Sequence, residues 1–302
     1  MHCQMSILIE VEDGRGVWRM NASDTFILNS VFTQNTLKNL LERQFEKTYS
    51  TSVRRFLKNP EIKTNQELIS EIYSVMNKEY RNEYFYKNTI LNKLLLGRHS
   101  PNTTTALTEV PIAKSKADFI LINGRAIVYE IKTELDNFDR LDGQLSDYYK
   151  AFSRVCVVTC ESNYNYILEK LHDTPVGICL LTNRHTLSTK KEPLEDSSNL
   201  DVQMMFKILR KSEYESIIKD YYGELPQVSQ FKYYKACRQL FCDLEVNTAY
   251  GYLLRELKKR NKIDSVRYKN VPYELKFLVY FSGFRQTDYS QLERFLRNKF
   301  GG

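Results

Sequence analysis

The spacing of apolar residues changes character twice along the chain. Over residues 24–60 it is helical, with Leu37, Leu40, Leu41 and Phe45 at i, i+3, i+4 and i+8. Thr64 followed three residues later by Glu67 is a capping-box pair. It opens a long helical stretch whose stripe is Leu68, Ile69, Ile72, Val75 and Met76, and a second stripe runs from Tyr84 through Ile90, Leu91, Leu94 and Leu95 to a stop at Gly97. Over 106–182 short apolar runs alternate with helix-like segments. Runs at 107–112, 117–122, 125–131, 154–159 and 176–181 predict strands, and 136–151 and 162–171 predict helices. Strands apolar on both faces need helices on both sides, so the fold class is α/β. Residues 201–300 read as helical again, and 6–11 as a short strand. The polar stretch 190–199, with Pro193, is the best boundary. Three parts follow: an N-terminal helical segment 1–64, an α/β core 65–190 and a helical C-terminal region 200–302.

Composition adds a direction. With 302 residues, 42% hydrophobic and 27% charged, the chain can bury a sizeable core. The net charge is +7, and residues 201–302 carry all of it, with 19 Lys+Arg against 12 Asp+Glu. Basic, aromatic-rich surface suits a polyanion, because phosphate contact releases counterions and bases stack on rings. The six cysteines form no CxxC pair and read as small buried hydrophobes in a reducing cytoplasm. No signal-peptide pattern and no run of 18 apolar residues occurs, so a cytoplasmic protein without a membrane span is expected. The four histidines are scattered, and there is no HExxH, no Gly-x-Ser-x-Gly and no P-loop, which turns the search away from histidine metal sites, serine hydrolases and built-in NTP hydrolysis.

The chemistry concentrates between Asp118 and Tyr148. An Asn123-Gly124 turn separates Asp118 from the strand pattern Glu130-Ile131-Lys132. A hard divalent cation such as Mg²⁺ or Mn²⁺ takes oxygen ligands. Asp118 and Glu130 supply carboxylates, and the Ile131 carbonyl supplies a third oxygen. Lys132 shares a strand face with Glu130 and can orient a water or stabilise charge growing on phosphate. The hairpin register decides whether this works. A two-residue loop pairs Asp118 with Tyr129 and turns it away from Glu130. A three-residue loop over 123–125, with glycine in the left-handed conformation, pairs Asp118 with Glu130, and this longer loop is the expectation. Arg140, Gln144 and Tyr148 then follow at i, i+4 and i+8 on one helical face, where Gln144 and Tyr148 can hold the lysine or a substrate phosphate and Arg140 can contact nucleic acid. A basic cluster, Lys258-Lys259-Arg260 with Lys262, either grips phosphate or is a solvated helix end. Phe231-Lys232-Tyr233-Tyr234-Lys235 interleaves aromatics and bases, with core packing of Tyr233 or Tyr234 the favoured use.

The order Asp118…Glu130-Ile131-Lys132 resembles the PD-(D/E)XK nuclease superfamily, with its restriction-endonuclease-like fold. Gln144-x-x-x-Tyr148 resembles the Gln-x-x-x-Tyr motif of that superfamily's recombination-exonuclease branch, and the run from Thr108 to Tyr148 is similar to a group of uncharacterised bacterial and prophage nuclease-like proteins. The resemblance covers about 65–185. It implies a mixed central sheet flanked by helices and a Mg²⁺- or Mn²⁺-dependent nuclease hydrolysing phosphodiesters in DNA rather than RNA, in phage-related conflict or defence. A further acid is implied on the helix before the first strand, where Glu83 fits and Glu79 is its rival; Glu109 on the first strand is another candidate. Ala117 stands where the family motif has proline. The alternative is a catalytically inactive nuclease-fold protein that binds nucleic acid or a protein partner, and a homodimer is compatible with either.

Overall fold

The structure is a computed structural model that describes residues 20–43, 45–97, 102–260 and 263–301. The strand predicted at 6–11 and Lys262 lie outside the described residues. Helices α1 (Ala22–Val31), α2 (Gln34–Arg43) and α3 (Lys47–Phe56) occupy the first helical region. Leu37, Leu40 and Leu41 are buried, but Phe45 lies beyond the end of α2 and is 63% exposed. The capping box forms: Thr64 Oγ1 accepts the Glu67 N–H, and the Glu67 carboxylate accepts the Thr64 N–H at 2.7 Å. It starts α4 (Asn65–Glu79), which buries Leu68, Ile69, Ile72 and Met76. After α5 (Glu83–Ile90) the backbone continues as a wider helical turn, Leu91–Leu96, and stops at Gly97.

A six-stranded sheet follows, with β1 (Thr105–Ile112), β2 (Ser115–Asn123), β3 (Arg125–Lys132), β4 (Val155–Thr159), β5 (Gly177–Leu181) and β6 (Leu187–Lys191) side by side in chain order. β1, β2 and β3 are mutually antiparallel, β3, β4 and β5 parallel, and β6 antiparallel to β5. Parallel neighbours need crossovers, and α6 (Leu141–Tyr149) and α7 (Tyr164–Lys170) provide them. The helix expected from 136 begins only at Leu141. The Asp136 carboxylate accepts the backbone N–H and hydroxyl of Thr133, at 2.8 and 2.7 Å, and holds the intervening segment as a turn.

The stretch read as a boundary is instead pinned to the sheet. Arg154 donates to the Pro193 carbonyl and to Glu195, both at 2.8 Å, and the Asp196 N–H reaches the Ser153 carbonyl at 2.8 Å. Pro193 lies so close to Gly177 that a Cβ there would sit 2.7 Å from the proline ring.

The later helices are α8 (Val202–Ile208), α9 (Lys211–Tyr222), α10 (Gln230–Cys242), α11 (Val246–Lys258), α12 (Ser265–Lys269), α13 (Lys276–Phe281) and α14 (Gln286–Arg297). The chain divides into a helical unit, 1–88 with 266–302, and a sheet unit, 89–265. The predicted limits at 64 and 190 fall inside these units. In the sheet unit α8 and α11 pack on β1 and β2, and α6 lies on β2 and β4. One contiguous core there joins Val128, Ile120 and Val157 to Tyr148, Phe206 and Leu253. In the helical unit α14 packs on α2 and α4, and the Asn65 amide donates to the Phe295 carbonyl at 3.0 Å, tying sequence-distant ends together.

Candidate functional site

The β2–β3 hairpin sets the geometry. Asn123, Gly124 and Arg125 form a three-residue loop with Gly124 at φ +71°, a conformation that favours glycine. Ile122 pairs with Ala126 and Phe119 with Tyr129, so the same register carried one step further sets Asp118 opposite Glu130. The ladder stops there, and the Asp118 carboxylate accepts the Ile131 N–H at 2.9 Å. The N–H and C=O of one strand residue point to the same side, so the Ile131 carbonyl also faces the Asp118 edge.

Glu130 and Lys132 share the face covered by α6, and both are buried. A buried charge needs partners, and each finds them within this set. Lys132 Nζ lies 3.0 Å from Glu130 Oε1 and donates to Gln144 Oε1 at 2.9 Å. The Tyr148 hydroxyl reaches Glu130 Oε2 at 2.6 Å and the Lys116 carbonyl at 3.0 Å. Burial pushes the Tyr148 phenol well above its ordinary range, and the Glu130 and Asp118 charges push it further the same way. Tyr148 therefore keeps its proton and acts as a donor to Glu130. Spacing four apart on α6 places Gln144 and Tyr148 over the two strand residues.

Glu109 adds a feature that spacing did not reveal. It has φ +56° on β1, a strained conformation for a residue with a side chain. The inward-facing positions run 107, 110, 112 on β1 and 122, 120, 117 on β2, so the alternation skips a step on both strands where Glu109 stands across from Asp118. Carboxylate oxygens of these two residues come within 4.8 Å of each other. Lys116, which the sequence reading passed over although it lies two residues before Asp118 on the same strand, pairs with Glu109. Asp147 was also missed. It accepts from the Lys114 N–H at 3.1 Å and the Ser115 hydroxyl at 2.8 Å, and so braces the β1–β2 turn against α6.

Oxygen donors thus converge on one edge: Asp118, Glu109, the Ile131 carbonyl and, across the register, Glu130. The donor set is all oxygen, and two ligands on opposite sides of one hard cation stand about 4 to 5 Å apart. These residues fit Mg²⁺ or Mn²⁺.

Of the remaining candidates, Glu83 opens α5, where it is exposed and paired with Lys87 one turn on at 2.5 Å. Arg140 is exposed at the start of α6. Lys258 and Lys259 are exposed at the end of α11, where Lys259 pairs with Glu256 at 2.6 Å. Arg260 is not offered to solvent. It clamps Glu213 with two bonds, at 2.7 and 2.6 Å, and donates to the Ile208 carbonyl at 2.6 Å. In the aromatic-basic run Tyr233 is half-buried and bonds Glu215, whereas Tyr234 is 54% and Phe231 96% exposed.

The family described as bacteriophage P4 protein cII matches residues 76–273, more than half of the chain. Protein cII of Enterobacteria phage P4 is 25% identical over 144 residues, which are 46% of this chain and 50% of that protein, so the match spans about half the length of that relative. No solved structure matches at a significant level.

Proposed function

The chain belongs to the bacteriophage P4 protein cII family, and we propose that it is a divalent-metal-dependent nuclease hydrolysing phosphodiester bonds in DNA. The observation that carries this reading is the register that sets Asp118 opposite Glu130, with Lys132 beside Glu130 and a second acid, Glu109, at Asp118. Asp118, Glu130 and the Ile131 carbonyl would hold Mg²⁺ or Mn²⁺, with Glu109 in support. When bound, such an ion lowers the pKa of a water and neutralises charge on the phosphate. Lys132 stabilises the negative charge that grows on the phosphoryl oxygens. Gln144 holds the Lys132 ammonium in place, and Tyr148 fixes the Glu130 carboxylate. An antiparallel trio of strands leading by a helical crossover into parallel strands, with acid, acid and lysine on the trio, accords with a restriction-endonuclease-like core. A part in phage-related conflict goes with a phage relative.

A second reading, an inactive nuclease-fold protein that binds nucleic acid or a protein partner, draws on one observation: both Glu130 oxygens are already engaged, by Lys132 and Tyr148. Supercoiled plasmid with Mn²⁺ separates the two. The nuclease reading expects nicked or linear product from wild type, and about 100-fold or more loss in Lys132→Ala, on the scale of removing one transition-state charge donor. Cleavage equal in wild type and Lys132→Ala contradicts it. Intact plasmid throughout, with retained DNA binding, supports the second reading.

A further inference from the structure

The helical unit contains a hollow that the proposed cleavage site does not use. It measures about 240 Å³ and is lined by Arg43, Phe45, Tyr49, Arg54, Lys299 and Phe300, among others. Three cations thus come from the end of α2, from α3 and from the chain after α14, and among the described residues no acidic side chain lines the hollow. The two acids next to the lining residues in sequence are engaged elsewhere: Glu42 lies 3.8 Å from Lys38 one turn back, and Glu46 accepts the Tyr49 N–H at 2.8 Å. Three other cations of this unit do have acidic partners: Lys63 with Glu71, Arg297 with Glu293, and Arg55 with Asp24.

The walls are aromatic. The Arg54 guanidinium stands 5.8 Å from the centre of the Phe300 ring. The Tyr49 ring packs edge-on to Phe300, and its hydroxyl is taken by Asn65 at 2.8 Å, so it serves as a wall rather than a donor to the hollow. Phe45 is 63% exposed at the rim, although the sequence pattern put it on a buried helical stripe. An exposed ring beside cations that have no acidic partner among the described residues is the pairing that unpaired nucleotides use, base on ring and phosphate on cation.

The helical unit is also the more basic of the two. Its described segments, 20–88 and 266–301, hold 17 Lys+Arg against 11 Asp+Glu, whereas residues 89–265 hold 25 against 23. Of the surplus that the sequence placed in residues 201–302, +4 falls in 266–302 and +3 in 201–265.

We propose that the Arg43–Arg54–Lys299 hollow binds an unpaired stretch of nucleic acid, with one base against Phe45 and successive phosphates on the three cations. A duplex cannot enter a space of this size. Three cations drawn from three separate elements match a strand better than the single phosphate of a mononucleotide.

The test is fluorescence anisotropy with the full chain, a labelled 15-nucleotide oligo-dT and EDTA, so that cleavage plays no part. Wild type binds the oligonucleotide more tightly than a duplex of equal length, and free dTMP competes poorly. The triple variant Arg43→Ala/Arg54→Ala/Lys299→Ala loses affinity and lowers the slope of log affinity against log salt by about two, since each phosphate contact on a single strand contributes about 0.7. Phe45→Ala, at an exposed position, weakens binding by on the order of 10-fold and leaves the salt slope unchanged. Lys219→Ala, removing an exposed charge on α9, leaves both quantities as in wild type. No oligonucleotide binding, equal binding by the Phe45→Ala and triple variants, or equal preference for duplex overturns the proposal. Competition by dTMP at the affinity of the strand replaces it with a nucleotide pocket. None of these outcomes bears on whether metal-dependent cleavage occurs at Asp118 and Lys132.

Discussion

Glu109 illustrates how one residue can trade stability for chemistry. A left-handed backbone at a residue with a side chain costs about 1 to 2 kcal/mol, and here it interrupts the β1–β2 alternation where an acid faces Asp118. Its ion pair with Lys116 is partly exposed and contributes little in return. Glu109→Gly removes the strain together with the carboxylate. The variant is expected to match or exceed wild-type stability in urea, by up to about 1 kcal/mol, while cleaving plasmid more slowly. Lower stability in Glu109→Gly would show that the conformation is not strained, and unchanged cleavage would remove Glu109 from the site. The sequence could propose this residue because it lies on an apolar strand ahead of Asp118. The kink that brings it close was not legible, since a positive φ at glutamate has no signature in spacing.

At the scale of elements, the sequence was most informative where local rules act alone, as at the Thr64 capping box. The Asn123-Gly124 pair alone favours a two-residue loop; the three-residue loop was the expectation because only its register puts Asp118 and Glu130 on one face, and a one-residue slip would reverse which face each acid occupies. Elements set by tertiary partners were not. β6 reads Leu-Ser-Thr-Lys-Lys, polar enough to pass for a linker, and its pairing with β5 is secured by Lys191, whose Nζ donates to the carbonyls of Leu171, His172 and Thr174 at the end of α7. The basic cluster after α11 likewise conceals a structural clamp. Arg260 and Glu213 are almost fully buried, and breaking such a pair costs about 3 to 5 kcal/mol. Arg260→Ala should lose about that much in urea unfolding, and a loss of under 1 kcal/mol would return Arg260 to the surface. The pair also predicts a pH dependence. Burial works to raise the Glu213 carboxyl, but the Arg260 bonds and the Arg210 N–H outweigh it and hold the carboxyl below its ordinary value of 4.5. Its contribution is therefore complete above about pH 4.5 and is lost as pH falls through the lower folded-state value. Glu213→Gln should lack that part of the acid slope.

At the scale of the whole molecule, α/β architecture and the positions of the first five strands along the chain followed from apolar periodicity, whereas the partition of the chain did not. Periodicity identifies a helix but not the surface it will cover. Residues 201–302 look uniform, yet α8 to α11 build on the sheet, and α13 and α14 join helices more than 200 residues earlier. Among the described residues no helix is long and apolar enough to cross a membrane. The sheet unit, which falls wholly within the span matched by the family, holds every member of the Asp118–Tyr148 constellation.

The central claim is that the end of the β2–β3 ladder seats a divalent ion. Titration of Mn²⁺ into the full chain, followed by the paramagnetic resonance of the free ion and without any nucleic acid present, addresses it directly. Saturable binding by wild type, lost or weakened at least about 10-fold in Asp118→Asn, with Arg140→Ala like wild type, is the predicted result. Binding undiminished in Asp118→Asn, or no binding by wild type, would contradict it.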